Sequence, residues 1–120
     1  MNKYEVLKTA LDKGDEASMK CRGNSMLPIL TNPSTCRYRR EPFYKIGDIV
    51  FCKVRGNYID AHKITAIRDG KYLISNNHGH DNGWTSAIFG RVISAISASG
   101  REKFFGEQEP RVAAEAVAQP

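Results

Sequence analysis

Between residues 47 and 89 the chain consists of short runs rich in Val, Ile, Tyr and Phe, separated by turn residues. Runs of this length and composition, bounded by glycine, asparagine and aspartate, are typical of β-strands rather than helices. The strands predicted here and just beyond are Ile49–Val54, 58–67, Lys71–Ser75 and 90–96. Residues 55–57, Arg-Gly-Asn, predict a tight hairpin turn between the first two strands. The chain is therefore expected to be mainly β, with a twisted sheet.

The two ends of the chain follow different patterns. Tyr4, Leu7 and Leu11 recur at helical spacing and Gly14 follows them, which predicts a short N-terminal helix ending near residue 13. Residues 101–120 are polar and then rich in alanine, which predicts a flexible tail. A chain of 120 residues is long enough for one compact domain and too short for two of ordinary size. Residues 1–100 are therefore expected to form a single β domain that includes the helix.

Composition restricts the classes of protein and partner that need considering. The formal net charge of +5 is compatible with acidic partners or nucleic acid, but charge alone does not define a mechanism. No stretch approaches the roughly 20 consecutive apolar residues that span a bilayer, and the N-terminus lacks the apolar core of a signal peptide. The three cysteines are far apart and contain no C-x-x-C pair, so neither a disulfide framework nor a zinc site is indicated. We expect a cytoplasmic protein with reduced thiols and no membrane partner.

The most informative pattern is a series of three short motifs. Residues 23–28 read G-N-S-M-L-P, residues 47–50 read G-D-I-V, and residues 61–64 read A-H-K-I. This order resembles the serine peptidase superfamily that contains type I signal peptidases and LexA-like self-cleaving repressors. The resemblance extends over about residues 19–96 and is strongest to small phage-borne members. It implies the coiled, twisted β-sheet of that superfamily.

The resemblance also implies roles for particular side chains. Ser25 aligns with the nucleophile of the superfamily. The base in these families is a lysine or, in some signal-peptidase branches, a histidine, and an Arg or Lys often follows it. This register aligns His62 with the base and Lys63 with the flanking cation. Because neighbouring side chains on a strand point to opposite faces, only one of the two can face Ser25, and Lys63 stays open as the alternative base.

The chain departs from the family pattern after the base. Branches with a histidine base usually carry acidic residues in a later segment, where this chain has Ser75-Asn76-Asn77. Asparagine cannot stabilise an imidazolium ion as a carboxylate does. Asp81 could supply the missing charge, although a solvated loop carboxylate is the competing interpretation. The chain also lacks the membrane anchor of signal peptidases and the DNA-binding domain of the repressors, so a free-standing catalytic-type domain is expected.

Two classes of function follow from these motifs. The first is a serine endopeptidase that cleaves itself or another protein, with Ser25 as nucleophile, His62 or Lys63 as base, Asp81 as a supporting acid, and backbone amides near Ser25 and Met26 holding the oxyanion. It needs no cofactor and no metal. The second is a catalytically inactive domain of the same fold that binds a protein or a nucleic acid. The sequence does not predict an oligomeric state.

Two further clusters have both a functional and a purely structural interpretation. His78, His80 and Asp81 could be metal ligands, but their spacing is a weak signal and an ordered surface loop over residues 76–83 is favoured. Cations and aromatic residues alternate between Arg37 and Lys45, as on many nucleic-acid-binding surfaces. A solvated basic loop that leads into the β domain is the favoured interpretation of that cluster.

Overall fold

The residues that this computed structural model describes, 1–106 and Arg111, contain one α-helix and eight β-strands. Their bounds are α1 Lys3–Lys13, β1 Glu16–Cys21, β2 Ser34–Arg39, β3 Ile49–Val54, β4 Asn57–Arg68, β5 Lys71–Ser75, β6 Asp81–Thr85, β7 Ile88–Ser97 and β8 Glu102–Phe104. The predicted mainly β class and the short N-terminal helix are confirmed. The four predicted strands are present as β3, β4, β5 and β7, with ends that differ by up to two residues.

All strand pairs are antiparallel, and the strand order is β1-β2-β7-β3-β4-β5-β6, with β8 added to β7. The late strand β7 therefore lies in the middle of the sheet, between β2 and β3. It joins an N-terminal hairpin, β1-β2, to the meander formed by β3, β4, β5 and β6. In the register of the meander, Val50 lies opposite both His62 on β4 and Arg91 on β7.

Helix α1 covers part of this sheet. Asn2 caps the helix because its side chain accepts a hydrogen bond from the Glu5 amide at 2.9 Å, and the Glu5 carboxylate accepts one in return from the Asn2 amide. Leu7 and Leu11 are buried against the core. Gly90 makes the close approach of Leu11 possible, since a Cβ at this position would lie 3.1 Å from a Leu11 methyl group. The helix therefore packs on the sheet where a strand residue has no side chain.

A buried ion pair lies beneath the start of β7. Arg91 Nε donates to Glu41 Oε2 at 2.5 Å, and both side chains are at most 2% exposed. Arg91 also donates to the Phe105 carbonyl. Arg111 forms a two-pronged pair with the Asp48 carboxylate, at 2.6 and 2.8 Å, and its backbone amide donates to Glu41 Oε1. Charged groups buried in this way are stable only with such partners.

Three segments differ from the sequence prediction. Residues 37–39, within the expected basic loop 37–45, belong to strand β2, and residues 81–83, within the expected loop 76–83, belong to β6. Strand β8 lies inside the segment assigned to a flexible tail. Its Glu102 carboxylate accepts hydrogen bonds from Ser94 and Arg37, which lower the pKa of that carboxyl group and hold the strand on the sheet. Residues 107–110 and 112–120 of the expected tail lie outside the described residues.

Two further expectations concern the cysteines and the membrane. Cys21, Cys36 and Cys52 are buried free thiols. Burial raises the pKa of Cys52 to about 12, and a hydrogen bond with Cys36 together with burial raises the pKa of Cys21. Across residues 1–106 and 111, no helix has the length and apolar character needed to span a bilayer.

Candidate active site

Ser25 lies in the loop that joins β1 to β2, and this loop is held by hydrogen bonds at several points. Gly23 has a φ of 111°, a conformation that favours glycine, and its amide donates to the Asn32 side chain at 3.0 Å. The Asn32 amide group donates in turn to the Asn24 side chain at 3.1 Å. Asn32 therefore stabilises the turn that carries Ser25 through hydrogen bonds to Gly23 and Asn24.

A second loop, between β5 and β6, forms hydrogen bonds with the same turn. The Asn77 amide donates to the Ser25 carbonyl at 2.9 Å, and the Asn77 side chain donates to the Leu27 carbonyl at 2.9 Å. His78 Nε2 lies 3.0 Å from the Asn24 carbonyl oxygen. These contacts connect residues about 50 positions apart in the sequence. They fix the position of the Ser25 hydroxyl relative to the β3–β6 half of the sheet.

The Ser25 hydroxyl meets His62 from strand β4. Ser25 Oγ lies 2.9 Å from His62 Nε2, and both side chains are partly buried. The other ring nitrogen, Nδ1, lies 2.7 Å from Asn82 Oδ1. An amide oxygen only accepts, so Nδ1 carries the proton and donates to Asn82, which leaves Nε2 as the acceptor for the serine hydroxyl. Serine, histidine and asparagine thus form a continuous chain with the tautomer that a general base requires.

Asn82 is the site residue that the sequence interpretation missed. In the register of β5 with β6, Ile74 lies opposite Gly83 but Ser75 lies opposite Asp81, so Asn82 is an additional residue in a β-bulge. A bulge turns a side chain away from the regular alternation of the strand. Its Oδ1 consequently reaches His62, which belongs to a strand that is not its direct neighbour in the sheet. The only sequence signal was its position directly after Asp81.

Asp81 itself is not brought to His62. Its carboxylate accepts a hydrogen bond of 2.6 Å from the Ser75 hydroxyl, which lies 2.8 Å from Thr65 Oγ1. Asp81 therefore belongs to a hydroxyl network that joins β4, β5 and β6. Its predicted role as the acid behind the histidine has no support in this geometry, because Asn82 occupies that position.

Lys63 does not contact the serine hydroxyl. Its Nζ donates to Asn77 Oδ1 at 3.2 Å. Asn77 is the residue that hydrogen-bonds to the carbonyls of Ser25 and Leu27. Lys63 therefore orients the side chain that holds the Ser25 turn. The alternation of side chains along β4 thus gives the two candidate bases different partners: His62 contacts the Ser25 hydroxyl, and Lys63 contacts Asn77 in the neighbouring loop.

The surroundings of Ser25 also provide hydrogen-bond donors and a small recess. Within the described part of the chain, the backbone amides of Ser25 and Met26 donate to no other protein group. Donors of this kind next to a nucleophile suit a developing oxyanion. A recess of about 20 Å³ lies beside Ser25, between Met26 and Ala61. Its size leaves room for one water molecule or a very small side chain.

The basic cluster, residues 37–45, differs in burial and ion pairing from what its alternating sequence suggests. Tyr38 is fully buried and Tyr44 is largely buried. Arg37 forms ion pairs with Glu16 and Glu102, and Arg39 forms one with Glu16. The aromatic rings are thus core residues, and these two arginines bind carboxylates of neighbouring strands. Nucleic-acid binding by this cluster stays a prediction.

The loop histidines do not assemble a metal centre within residues 1–106 and 111. In that part of the chain, no three side chains of His, Cys, Asp or Glu lie close enough together to hold a metal ion. His78 instead contacts the Asn24 carbonyl, and the His80 amide donates to the Asn76 side chain. These residues shape the loop that holds the serine turn.

Comparison with known proteins adds no family assignment. No protein-family model matches the chain, and no curated protein matches it significantly.

Replacement of Asn82 tests the third position of the hydrogen-bonded chain. In Asn82→Ala, the partly buried Nδ1–H of His62 loses its acceptor, which costs about 1–3 kcal/mol and corresponds to roughly a 10- to 100-fold slower reaction at Ser25. Asn82→Asp keeps an acceptor and adds charge beside the imidazolium ion, so its rate is expected to equal or exceed that of the wild type. The measurement is the rate of covalent modification of Ser25 by a fluorophosphonate. Equal rates in Asn82→Ala and the wild type would contradict this role.

Proposed function

We propose that the chain is a serine peptidase in which Ser25 is the nucleophile, His62 is the general base and Asn82 orients His62. The observation that carries the proposal is the continuous contact from Ser25 Oγ to His62 Nε2, at 2.9 Å, and from Nδ1 to Asn82, at 2.7 Å. A hydrogen-bonded base, itself oriented by a third group, is the arrangement that activates a serine hydroxyl. The resemblance of the three sequence motifs to signal peptidases and LexA-like repressors supports the same assignment.

In the acylation step, Ser25 Oγ attacks the carbonyl carbon of the scissile peptide bond. The hydroxyl proton moves to His62 Nε2, and the negative charge of the tetrahedral intermediate develops on the carbonyl oxygen. The amides of Ser25 and Met26 are the donors available to that oxygen. When the C–N bond breaks, His62 returns the proton to the leaving amine and an acyl-serine remains.

In the deacylation step, water replaces the amine. His62 takes a proton from the water, the hydroxide adds to the acyl carbon, and the collapse of the second intermediate releases the carboxylic acid. The proton on His62 then returns to Ser25 Oγ. Asn82 keeps the ring in the same tautomer throughout, as an asparagine does behind the histidine of papain-like peptidases.

The substrate proposed for this site is a peptide with a small residue at the cleaved bond. The recess beside Ser25 measures about 20 Å³, which favours glycine or alanine over larger side chains. Met26 and Ala61, which are both buried, form part of those walls. The substrate class is therefore a protein segment that contains alanine or glycine in an extended conformation.

An activity-based probe tests the proposal without knowledge of the substrate. A fluorophosphonate is attacked by an activated serine, with formation of an O–P bond and loss of fluoride, and an unactivated serine reacts far more slowly. We expect one adduct on the folded wild-type chain, located on Ser25 by peptide mass spectrometry. Ser25→Ala is expected to give none, whereas Ser18→Ala, a change at an exposed serine on β1, is expected to label like the wild type.

The alternative function, an inactive domain that binds a protein or nucleic acid, predicts a different result. The feature in its favour is the neutral Asn82, which stabilises an imidazolium ion less than a carboxylate would. Absence of a Ser25 adduct on a folded wild-type chain, at reagent concentrations that label a known serine peptidase, would exclude the peptidase and favour this alternative.

A further inference from the structure

A groove of about 420 Å³ is lined in part by the loop that carries Ser25. Its volume is within the range of sites that bind small ligands or peptide side chains. One wall is the segment 28–34, which continues directly from the serine turn, and the other is formed by the end of β7 with the turn into β8. Ile29, Leu30 and Ala95 contribute apolar surface.

The groove is close to the proposed nucleophile along the backbone. Pro28, its first lining residue, is three positions from Ser25, and three residues span at most about 10 Å. An extended peptide advances about 3.3 Å per residue. A peptide that runs from Ser25 along residues 25–28 therefore reaches the edge of the groove at Pro28 within about three or four residues.

The charge of the groove is of one sign. Its only ionisable lining residues are Arg101 and Lys103, and no acidic residue of the described chain lines it. Arg101 is exposed and forms no ion pair with the residues described. Lys103 lies over the Phe105 ring at 5.4 Å, a contact that leaves its ammonium group accessible to an anion. By contrast, Glu102 between them is turned to the other face, where it pairs with Arg37.

We propose that this groove is a substrate-selecting subsite that binds an extended peptide segment carrying apolar side chains and a carboxylate, at least three or four residues from the cleaved bond. The apolar lining accepts the aliphatic side chains, and Arg101 and Lys103 bind the carboxylate. The inference rests on the proposed peptidase function and adds to it a preference that the small recess beside Ser25 does not provide.

Cleavage of a peptide library tests the preference. The probe is a set of synthetic dodecapeptides with alanine at the two central positions and varied flanks, analysed by mass spectrometry after incubation with the full chain. Wild-type products are expected to be enriched in Asp or Glu at the third position or further from the cleaved bond, on one side of it. In the double variant Arg101→Glu, Lys103→Glu, the enrichment is expected to fall about tenfold or to shift to Lys and Arg, since each exposed pair contributes modestly.

The matched control is Arg68→Glu, Lys71→Glu, which makes the same change in net charge at the exposed β4–β5 turn, away from the groove. It is expected to retain the wild-type preference. An unchanged preference in the groove variant, with cleavage intact, would overturn the subsite while leaving the peptidase function in place. A change in the molecular mass of the assembly by light scattering, without a change in preference, would identify the groove as a contact between copies and would also overturn it.

Binding to the Ser25→Ala chain separates the subsite from catalysis. The probes are two fluorescein-labelled decapeptides rich in Ala, Val and Leu that differ only in carrying two Glu or two Lys residues. The Glu peptide is expected to bind about tenfold more tightly at low salt, with the difference lost in the groove variant and reduced by added salt. Selective binding without any cleavage by the wild type would identify a peptide-binding groove and would overturn its role as a substrate subsite of a peptidase. Equal binding of the two peptides would reject the subsite.

Discussion

His62→Ala is expected to lower the rate of peptide cleavage by about 100- to 10 000-fold, the range over which a positioned general base contributes. Without the imidazole, the Ser25 hydroxyl has no acceptor for its proton at 2.9 Å, although the donors for the oxyanion are unchanged. Added imidazole is expected to restore part of the rate in His62→Ala and none in Ser25→Ala. The measurement is the rate of reaction of each folded variant with a peptide ester or a fluorophosphonate, together with its circular dichroism spectrum.

Lys63→Met is the matched variant at the neighbouring strand position. It removes the hydrogen bond from Lys63 to Asn77 but leaves the Ser25–His62 contact, so a loss of about tenfold or less is expected. The two variants therefore distinguish the two candidate bases. A greater loss in Lys63→Met than in His62→Ala, or no rescue by imidazole, would assign the base to Lys63 or to a rearranged site.

Glu41→Gln is expected to reduce the free energy of unfolding by about 3–5 kcal/mol, because it removes the negative charge that lies against the buried Arg91 guanidinium. This is a large part of the 5–15 kcal/mol typical of a whole domain. The change nearly preserves side-chain volume, so the effect arises from charge and hydrogen bonding rather than from a cavity. Urea denaturation followed by circular dichroism measures it, with an unchanged m value as evidence that the same transition is observed.

Two comparisons make the result specific to the buried pair. Glu16→Gln breaks ion pairs of a partly exposed carboxylate with Arg37 and Arg39, and is expected to cost no more than about 1 kcal/mol. The double change Glu41→Leu, Arg91→Met removes both charges and is expected to recover most of the stability lost in Glu41→Gln. Equal losses for Glu41→Gln and Glu16→Gln would show that Arg91 finds another partner or water.

The strands with the strongest composition were the ones that could be predicted from the sequence. Strand β3 is buried almost throughout, and β5 ends in two buried residues, so their Val, Ile and Phe content follows directly from their place in the core. Strand β2 reads as a basic loop because its alternate residues, Arg37 and Arg39, lie on the partly exposed face and pair with acids from other strands. Ion pairs between strands that are distant in sequence leave no pattern in the local sequence.

Only part of the candidate site could be predicted from the sequence. Ser25 and His62 stand in ordered motifs, so their relation follows from the resemblance of the whole series, although not from either residue alone. Asn82 could not be predicted, since its contact depends on one additional residue in the β5–β6 pairing that rotates it towards β4. Strand alternation by itself does not decide whether Asp81 or Asn82 is the partner of His62.

Strand β7 contributes no member of the hydrogen-bonded chain at Ser25, yet it joins the two halves of the sheet on which that chain depends. Ser25 belongs to the β1–β2 half, whereas His62 and Asn82 belong to the β3–β6 half. On the ribosome, all three residues are synthesised before residues 88–97, and pairings this distant in sequence form slowly. For the proposed peptidase, the synthesis of β7 therefore precedes the joining of the two halves that brings Ser25 to its base.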